Sequence, residues 1–301
     1  MMNITLKQLK YFEALAEHKH FGRAANASAI SQPALSMQIK DLETELEAPL
    51  FERNAKEIQL TAFGETFSHR AKEILRSVDE LEDFVEASKK GAIGRIRIGI
   101  IPTIAPYLLP SIIANLTIVN PEIEIHVRET MTQKLVEELK QGKLDTAILA
   151  LPISDPAFVE VPLMDEEFLL VRPKADETKP IPNSETLSQM RLLLLEEGHC
   201  FREQAISFCN MQSNLPRESL DGSSLSTLVQ MVSSGIGVTL IPEMAVDVET
   251  RSANVCVAGF EKSKPTRTIG MIWRKTSPLS DRFLEISEIV KQATISRKSY
   301  Y

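Results

Sequence analysis

The chain has 301 residues, 43% of them hydrophobic and 25% charged, which is enough for two or three globular domains. No apolar run approaches the roughly 18–20 residues that cross a bilayer, and the first residues lack a charged-then-apolar leader pattern, so a cytoplasmic protein with no membrane partner is expected. Three cysteines do not make a secreted disulfide framework, the sequence holds no CxxC or HExxH spacing for a metal, and a net charge of −7 removes any argument for nucleic-acid binding from bulk charge.

Three textures follow one another. Residues 1–60 are short helical patterns separated by small-residue turns. Within them Phe21 to Ser28 begins a helix rich in Ala, small enough for another helix to cross closely. Ser31-Gln32-Pro33-Ala34-Leu35-Ser36 then opens a second helix, with Ser31 as N-cap and Pro33 in the first turn, where its missing N–H costs nothing. Leu35, Ile39, Leu42 and Leu46 fall on one face. The opposite face carries Pro33, Ser36, Met37, Lys40 and Thr44. An apolar back with short hydrogen-bonding groups at the front suits a helix in a DNA major groove. The pattern alone describes an amphipathic bundle helix equally well.

Residues 61–90 are amphipathic and free of Pro. Phe67, Ala71, Ile74, Val78, Leu81, Val85 and Ser88 are spaced 4, 3, 4, 3, 4, 3, an a/d seam that favours a dimerising linker helix over a surface helix. Residues 92–301 alternate strand and helix patterns: strands over Arg95–Ile101, Glu122–Arg128, Thr146–Leu151, Phe168–Val171, Leu192–Leu195, Val238–Ile241 and Ile269–Trp273, with helices over Leu108–Val119 and Thr132–Gln141 and a closing helix over Ser277–Gln292. Such alternation implies parallel strands with crossover helices. Periodicity does not decide between one large domain and two small ones around a cleft.

After the strand Leu192–Leu195, Gly198 breaks the chain and a helix begins near Cys200. Backbone N–H groups at a helix start favour a thiolate, and Arg202 adds positive charge nearby. Cys209 lies nine residues on. In a continuous helix that is about 13.5 Å along the axis and on the opposite side. A disulfide needs Cα atoms within roughly 7 Å, so any bond between the two requires the helix to unravel. Spacing by itself reads more simply as two buried cysteines used as small hydrophobes. Cys256, in Val255-Cys256-Val257, reads as a strand residue without a redox role.

The first 67 residues resemble the winged helix-turn-helix of LysR-type regulators. The resemblance is carried by Leu9-Lys10-Tyr11-Phe12, Phe21-Gly22-Arg23-Ala24-Ala25, Ser31-Gln32-Pro33-Ala34-Leu35-Ser36, Leu50-Phe51-Glu52-Arg53 and Leu60-Thr61-Ala62-Phe63-Gly64. It implies an N-terminal all-α winged helix-turn-helix over 1–60, a long linker helix over 61–90, and a C-terminal α/β regulatory domain over 92–301, periplasmic-binding-protein-like and of two subdomains. By the same resemblance Gln32, Pro33, Ser36 and Lys40 sit at the groove of double-stranded DNA. Arg53, before a wing at Ala55 to Leu60, touches phosphate. Met37 departs from the family, where many members carry Arg. The resemblance also implies a homotetramer, a dimer of dimers, working with RNA polymerase.

Gly198-His199-Cys200 to Cys209 is similar to the redox signature of the peroxide-sensing members of that family. Ile101-Pro102-Thr103, Pro106-Tyr107-Leu108-Leu109-Pro110, Thr268-Ile269-Gly270 and Ser277-Pro278-Leu279 extend the likeness along the whole chain. What this implies is an activator of oxidative-stress genes that is not an enzyme and carries no cofactor and no metal. Cys200 is then the peroxidatic residue and Cys209 the resolving one, joined reversibly by a disulfide that a cellular reductant resets. Thr103, Thr132 and His199 line the hydrogen peroxide pocket, with Arg267 nearby. Val229 stands where a basic residue is expected, which weakens any ion pair holding the loop. Two other readings compete: a LysR-type regulator driven by a small organic effector in the regulatory cleft, and a thiol peroxidase, which leaves the N-terminal 90 residues without a purpose.

Overall fold

A computed structural model describes residues 3–53, 58–90, 94–209, 221–261 and 264–298. The chain divides into two compact units, Met1–Val85 and Glu86–Tyr301. Among the described residues no helix is long and apolar enough to cross a membrane.

The first unit packs α1 (Leu6–His18), α2 (Phe21–Ala27) and α3 (Gln32–Glu45) against the hairpin β1 (Phe51–Arg53) and β2 (Ile58–Leu60), followed by α4 (Ala62–Lys90). Each helix start has a chemical cause. Thr5 and Gln8 form a capping box on α1, His20 Nδ1 accepts from the N–H groups of Gly22 and Arg23 at α2, and Ser31 caps α3. Leu35, Ile39 and Leu42 are buried with Phe12, Leu15 and Leu50. Glu43, on α3, accepts the N–H groups of Leu50 (2.8 Å) and Phe51 (3.2 Å) and so fixes where the hairpin leaves the core. Gly64 is required by close approach, because a Cβ there would meet the Leu50 carbonyl oxygen at 2.1 Å.

Helix α4 shows where the seam expected over 67–88 begins. Phe67 packs edge-on against Phe12, and Ala71 is buried in the same core. Ser68 donates to Glu13 (2.8 Å), and Lys72 pairs with the same carboxylate at 3.4 Å. The first two seam positions therefore belong to the unit's own core. Ile74, Leu81 and Val85 are exposed, Leu81 by 60%. A heptad pattern cannot distinguish these roles, because an intramolecular core and a partner helix ask for the same apolar spacing. The side chain of Ser88 lies outside the described set.

In the second unit β3 (Arg95–Ile100), α5 (Ala105–Val119), β4 (Glu124–Glu129), α6 (Thr132–Lys140) and β5 (Thr146–Leu151) form the expected parallel βαβ set. The sixteen-residue β6 (Phe158–Pro173) follows, then α7 (Ser184–Gln189), β7 (Leu192–Leu195), α8 (Cys200–Phe208), β8 (Asp221–Gly222), α9 (Leu225–Ser233), β9 (Val238–Pro242), α10 (Val246–Glu249), β10 (Val255–Ala258), β11 (Thr266–Arg274) and α11 (Ser280–Lys298). The strand order is β4-β3-β5-β11-β6-β9-β7-β8, with β10 also on β6.

Strand β6 joins two lobes. Nine of its first ten residues pair with β11, with a register shift at Leu163, and from Phe168 onward it pairs with β9 and β10. Strand β11 runs antiparallel to both β5 and β6, and β9 is antiparallel to β6. The sheet is therefore mixed rather than all parallel. The chain returns from the second lobe to the first as β11, with no crossover helix among the described residues, and enters from the opposite end. Hydrophobic periodicity reports which face of a strand is buried, not its direction.

Candidate functional site

On α3, Gln32, Pro33 and Lys40 are exposed and Ser36 is half-buried; Gln32, the first residue of the helix, is spaced onto the face of Leu35, Ile39 and Leu42, while Pro33, Ser36 and Lys40 lie on the side away from it. Met37 is 61% exposed on that same side, an unusual placement for a thioether. Arg53 ends β1 opposite Ile58. Its side chain, and the wing residues Ala55 to Glu57, lie outside the described residues.

The second cluster forms at the ends of strands from both lobes. Cys200 is the first residue of α8, half-buried, with His199 as N-cap. The His199 side chain caps no helix N–H, its carbonyl accepts the Arg202 N–H at 3.0 Å, and the thiol stands at the positive end of the helix dipole. Gly198 makes this approach possible. Its φ is +96°, and a Cβ there would come within 2.5 Å of Met131 Sδ. Met131 precedes Thr132 at the start of α6, so the loop before Cys200 lies directly on that helix's first turn. Burial holds the His199 imidazole below its ordinary range, against the opposing pull of Glu196. Arg202, read from sequence as a charge for the thiol, donates to the Leu195 carbonyl at 2.7 Å and ties α8 to the end of β7.

Thr132 Oγ1 is buried and has no hydrogen-bond partner among the described residues. The Thr130 amide donates to the Ile100 carbonyl (3.2 Å), which joins this turn to the end of β3 and the segment leading to Thr103. Thr103 is buried, and its hydroxyl accepts from Arg267 Nη1 at 2.8 Å while its carbonyl accepts from Nη2 at 3.0 Å. The Arg267 guanidinium lies 5.7 Å from the ring centre of Phe201, the residue after Cys200, and 5.9 Å from that of Phe168. Thr103 and Arg267 are thus in direct contact. Phe201 brings the His199–Cys200 turn against Arg267, and Gly198 brings it against Met131, the residue before Thr132. Sequence reasoning missed Met131, Phe168 and Phe201, which are apolar and carry no chemical signature. It also missed Glu166, which resembles a surface acid in Asp165-Glu166-Glu167.

Cys209 caps the C-terminal end of α8 and is buried, and its N–H donates to the Ala205 carbonyl. Helix α8 is continuous from Cys200 to Phe208, so Cys200 and Cys209 sit at opposite ends of it as thiols. Phe201 and Ala205 are buried on its inner face, and Phe208 packs on Phe260. Cys256 is buried on β10 with its sulfur near the carbonyls of Arg172 and Pro173. Val229 is fully buried in α9, a place that suits an apolar side chain. No group of three or more His, Cys, Asp or Glu among the described residues could hold a metal.

A winged helix-turn-helix joined to a two-lobed α/β unit is the build of a DNA-binding regulator with a sensing module. Residues 6–65 match the bacterial regulatory helix-turn-helix protein family, lysR type, and residues 89–294 match the LysR substrate binding domain. The chain belongs to the LysR family. It is 39% identical over 293 residues to the DNA-binding transcriptional dual regulator OxyR of Escherichia coli K12, covering 96% of this chain and 95% of that one. The full-length OxyR of Pseudomonas aeruginosa, solved as a cysteine-to-aspartate variant, is 34% identical with a TM-score of 0.77, covering 97% of this chain and 96% of the other. A hydrogen-peroxide-bound cysteine-to-serine mutant of Corynebacterium glutamicum OxyR is 32% identical with a TM-score of 0.67, covering 98% and 94%.

Proposed function

We propose that this chain is a transcriptional regulator that senses hydrogen peroxide through Cys200 and Cys209 and controls oxidative-stress genes. The observation that carries the reading is Cys200 at the start of α8, next to Phe201, whose ring lies 5.7 Å from the Arg267 guanidinium that holds the buried Thr103. The relatives named above, OxyR proteins and one with peroxide bound, support it.

The chemistry follows from those groups. The Cys200 thiolate attacks one peroxide oxygen; the S–O bond forms, the O–O bond breaks, and the departing hydroxide takes a proton to become water. Thr103, with its oxygen already accepting from Arg267, has its own O–H to donate to the departing oxygen. Thr132 can donate or accept. Neutral His199 offers a ring nitrogen for proton transfer. The Cys209 thiol then displaces water from the Cys200 sulfenic acid, leaving a disulfide, and a dithiol reductant returns two electrons and two protons.

The same reading assigns Gln32, Pro33, Ser36, Lys40 and Arg53 to DNA, residues 1–60 to the DNA-binding domain, 61–90 to the linker and 92–301 to the sensor. It assigns a homotetramer paired partly through Ile74, Leu81 and Val85, RNA polymerase as partner, and the cytoplasm as compartment. Intact-mass measurement after mild peroxide, run beside a DNA footprint, is the test. The mass falls by two hydrogens and the footprint shifts, and neither happens in Cys209→Ser. A footprint that ignores oxidation but responds to a metabolite refutes it.

A further inference from the structure

Glu166 and Arg267 face each other across β6 and β11 in direct register, with both side chains 0% exposed. The Glu166 carboxylate is used twice. Oε2 accepts from Arg267 Nε at 2.8 Å and lies 2.8 Å from Nη2, while Oε1 accepts the backbone N–H of Met244, also at 2.8 Å. A buried ion pair of this kind persists only when its remaining donors and acceptors are met. Here Nε donates to Glu166, Nη1 to the Thr103 hydroxyl and Nη2 to the Thr103 carbonyl, with Nη2 also in ionic contact with Glu166. The second N–H of Nη1, beside the Thr103 hydroxyl, has no partner among the described residues.

We infer that Glu166 is a positioning residue for peroxide reduction: its carboxylate, anchored on the Met244 amide, aims the Arg267 guanidinium so that the spare Nη1–H and the Thr103 hydroxyl point together at the departing oxygen. The inference rests on the peroxide reading above. Its physical content is orientation. An arginine in water turns freely and is hydrated, whereas one clamped at Nε and Nη2 presents its last donor without reorganising as negative charge develops on the departing oxygen. The clamp also spans the two lobes, since Thr103 comes from the first and Met244 and Phe201 from the second. The donor is therefore set only when both lobes are folded around Cys200. Glutamine in place of Glu166 keeps the shape but has one oxygen for three N–H groups, so its amide faces either Met244 N–H or the guanidinium as a second donor.

The test uses the full chain in a Cys209→Ser background, which isolates the first step. Two rates are compared at Cys200: oxidation by hydrogen peroxide and alkylation by iodoacetamide, which needs no help at a departing oxygen. Glu166→Gln and Glu166→Asp should each slow peroxide oxidation, Gln by roughly 10²-fold, the size seen when one such donor is lost. Alkylation should stay within about threefold. Aspartate keeps the charge but shortens the reach, so loss there shows that geometry matters. Glu166→Met/Arg267→Met, which removes both buried charges, is the folding control and should show the same selective loss. If the peroxide-to-iodoacetamide ratio is unchanged in Glu166→Gln and Glu166→Asp but falls in Arg267→Met, the positioning role is wrong and the pocket stands. If it is unchanged in all of them, the pocket assignment fails as well.

Discussion

Helix α8 keeps its two cysteines apart, so its stability should set the midpoint of the proposed Cys200–Cys209 switch. Nine residues at 1.5 Å each separate Cys200 and Cys209 by about 13.5 Å along the axis, against the roughly 7 Å limit for a disulfide, so the bond can form only with the helix undone. Glu203 is exposed at the end of the first turn of that helix, away from the buried Phe201 and Ala205. Glu203→Ala and Glu203→Gly remove the same carboxylate and disturb no core contact, so their difference isolates helix propensity. That difference is about 1 kcal/mol in favour of Ala. It acts only on the thiol form and makes disulfide formation about fivefold more favourable in the Gly variant. For a two-electron couple the Gly midpoint should lie about 20 mV below that of Ala. Equilibration in thiol–disulfide buffers, trapping of free thiols and mass analysis would read this directly. Equal midpoints, or a Gly midpoint above that of Ala, would refute melting of α8 as part of oxidation.

Three further expectations come from other parts of the molecule. Burial lowers the His199 pKa on folding, so the unfolded chain binds the extra proton first; His199 favours the fold fully above about pH 6.5, and this is lost as pH falls through the folded value. Wild type should therefore lose more Tm than His199→Gln between neutral pH and pH 5. Tyr107 donates to Glu249 at 2.6 Å, and Ser226 donates to the other oxygen of that carboxylate, linking α5 to α9 and α10. Burial first, and Glu249 second, push the Tyr107 phenol far above its ordinary range, so it stays a donor. Tyr107→Phe should cost about 1–2 kcal/mol, read as a lower urea midpoint at constant slope. On DNA, affinity should fall steeply with salt, Lys40→Ala should reduce that slope by about one, and Met37→Arg should tighten binding. A flat salt dependence would rule out the α3 face.

Local chemistry determined much of this protein in its sequence. Ser31 and Pro33 start α3 and its apolar positions are buried as spaced, because capping and 3.6-residue periodicity act within a few residues. Gly198 and the apolar run before it likewise announce a strand, a break and a helix opening on Cys200. Tertiary structure decided what depends on distant partners. Phe67 and Ala71 were readable as seam residues until Phe12 claimed them for a core. The first ten residues of β6, with Glu160, Asp165, Glu166 and Glu167, show no strand pattern; they are a strand because β11 pairs with them and buries Glu166 against an arginine 101 residues away. Strand direction and the meeting of Thr103 with Arg267 across 164 residues have the same origin. Hydrogen bonds of that separation depend on which strands become neighbours, and no short window of residues contains that information.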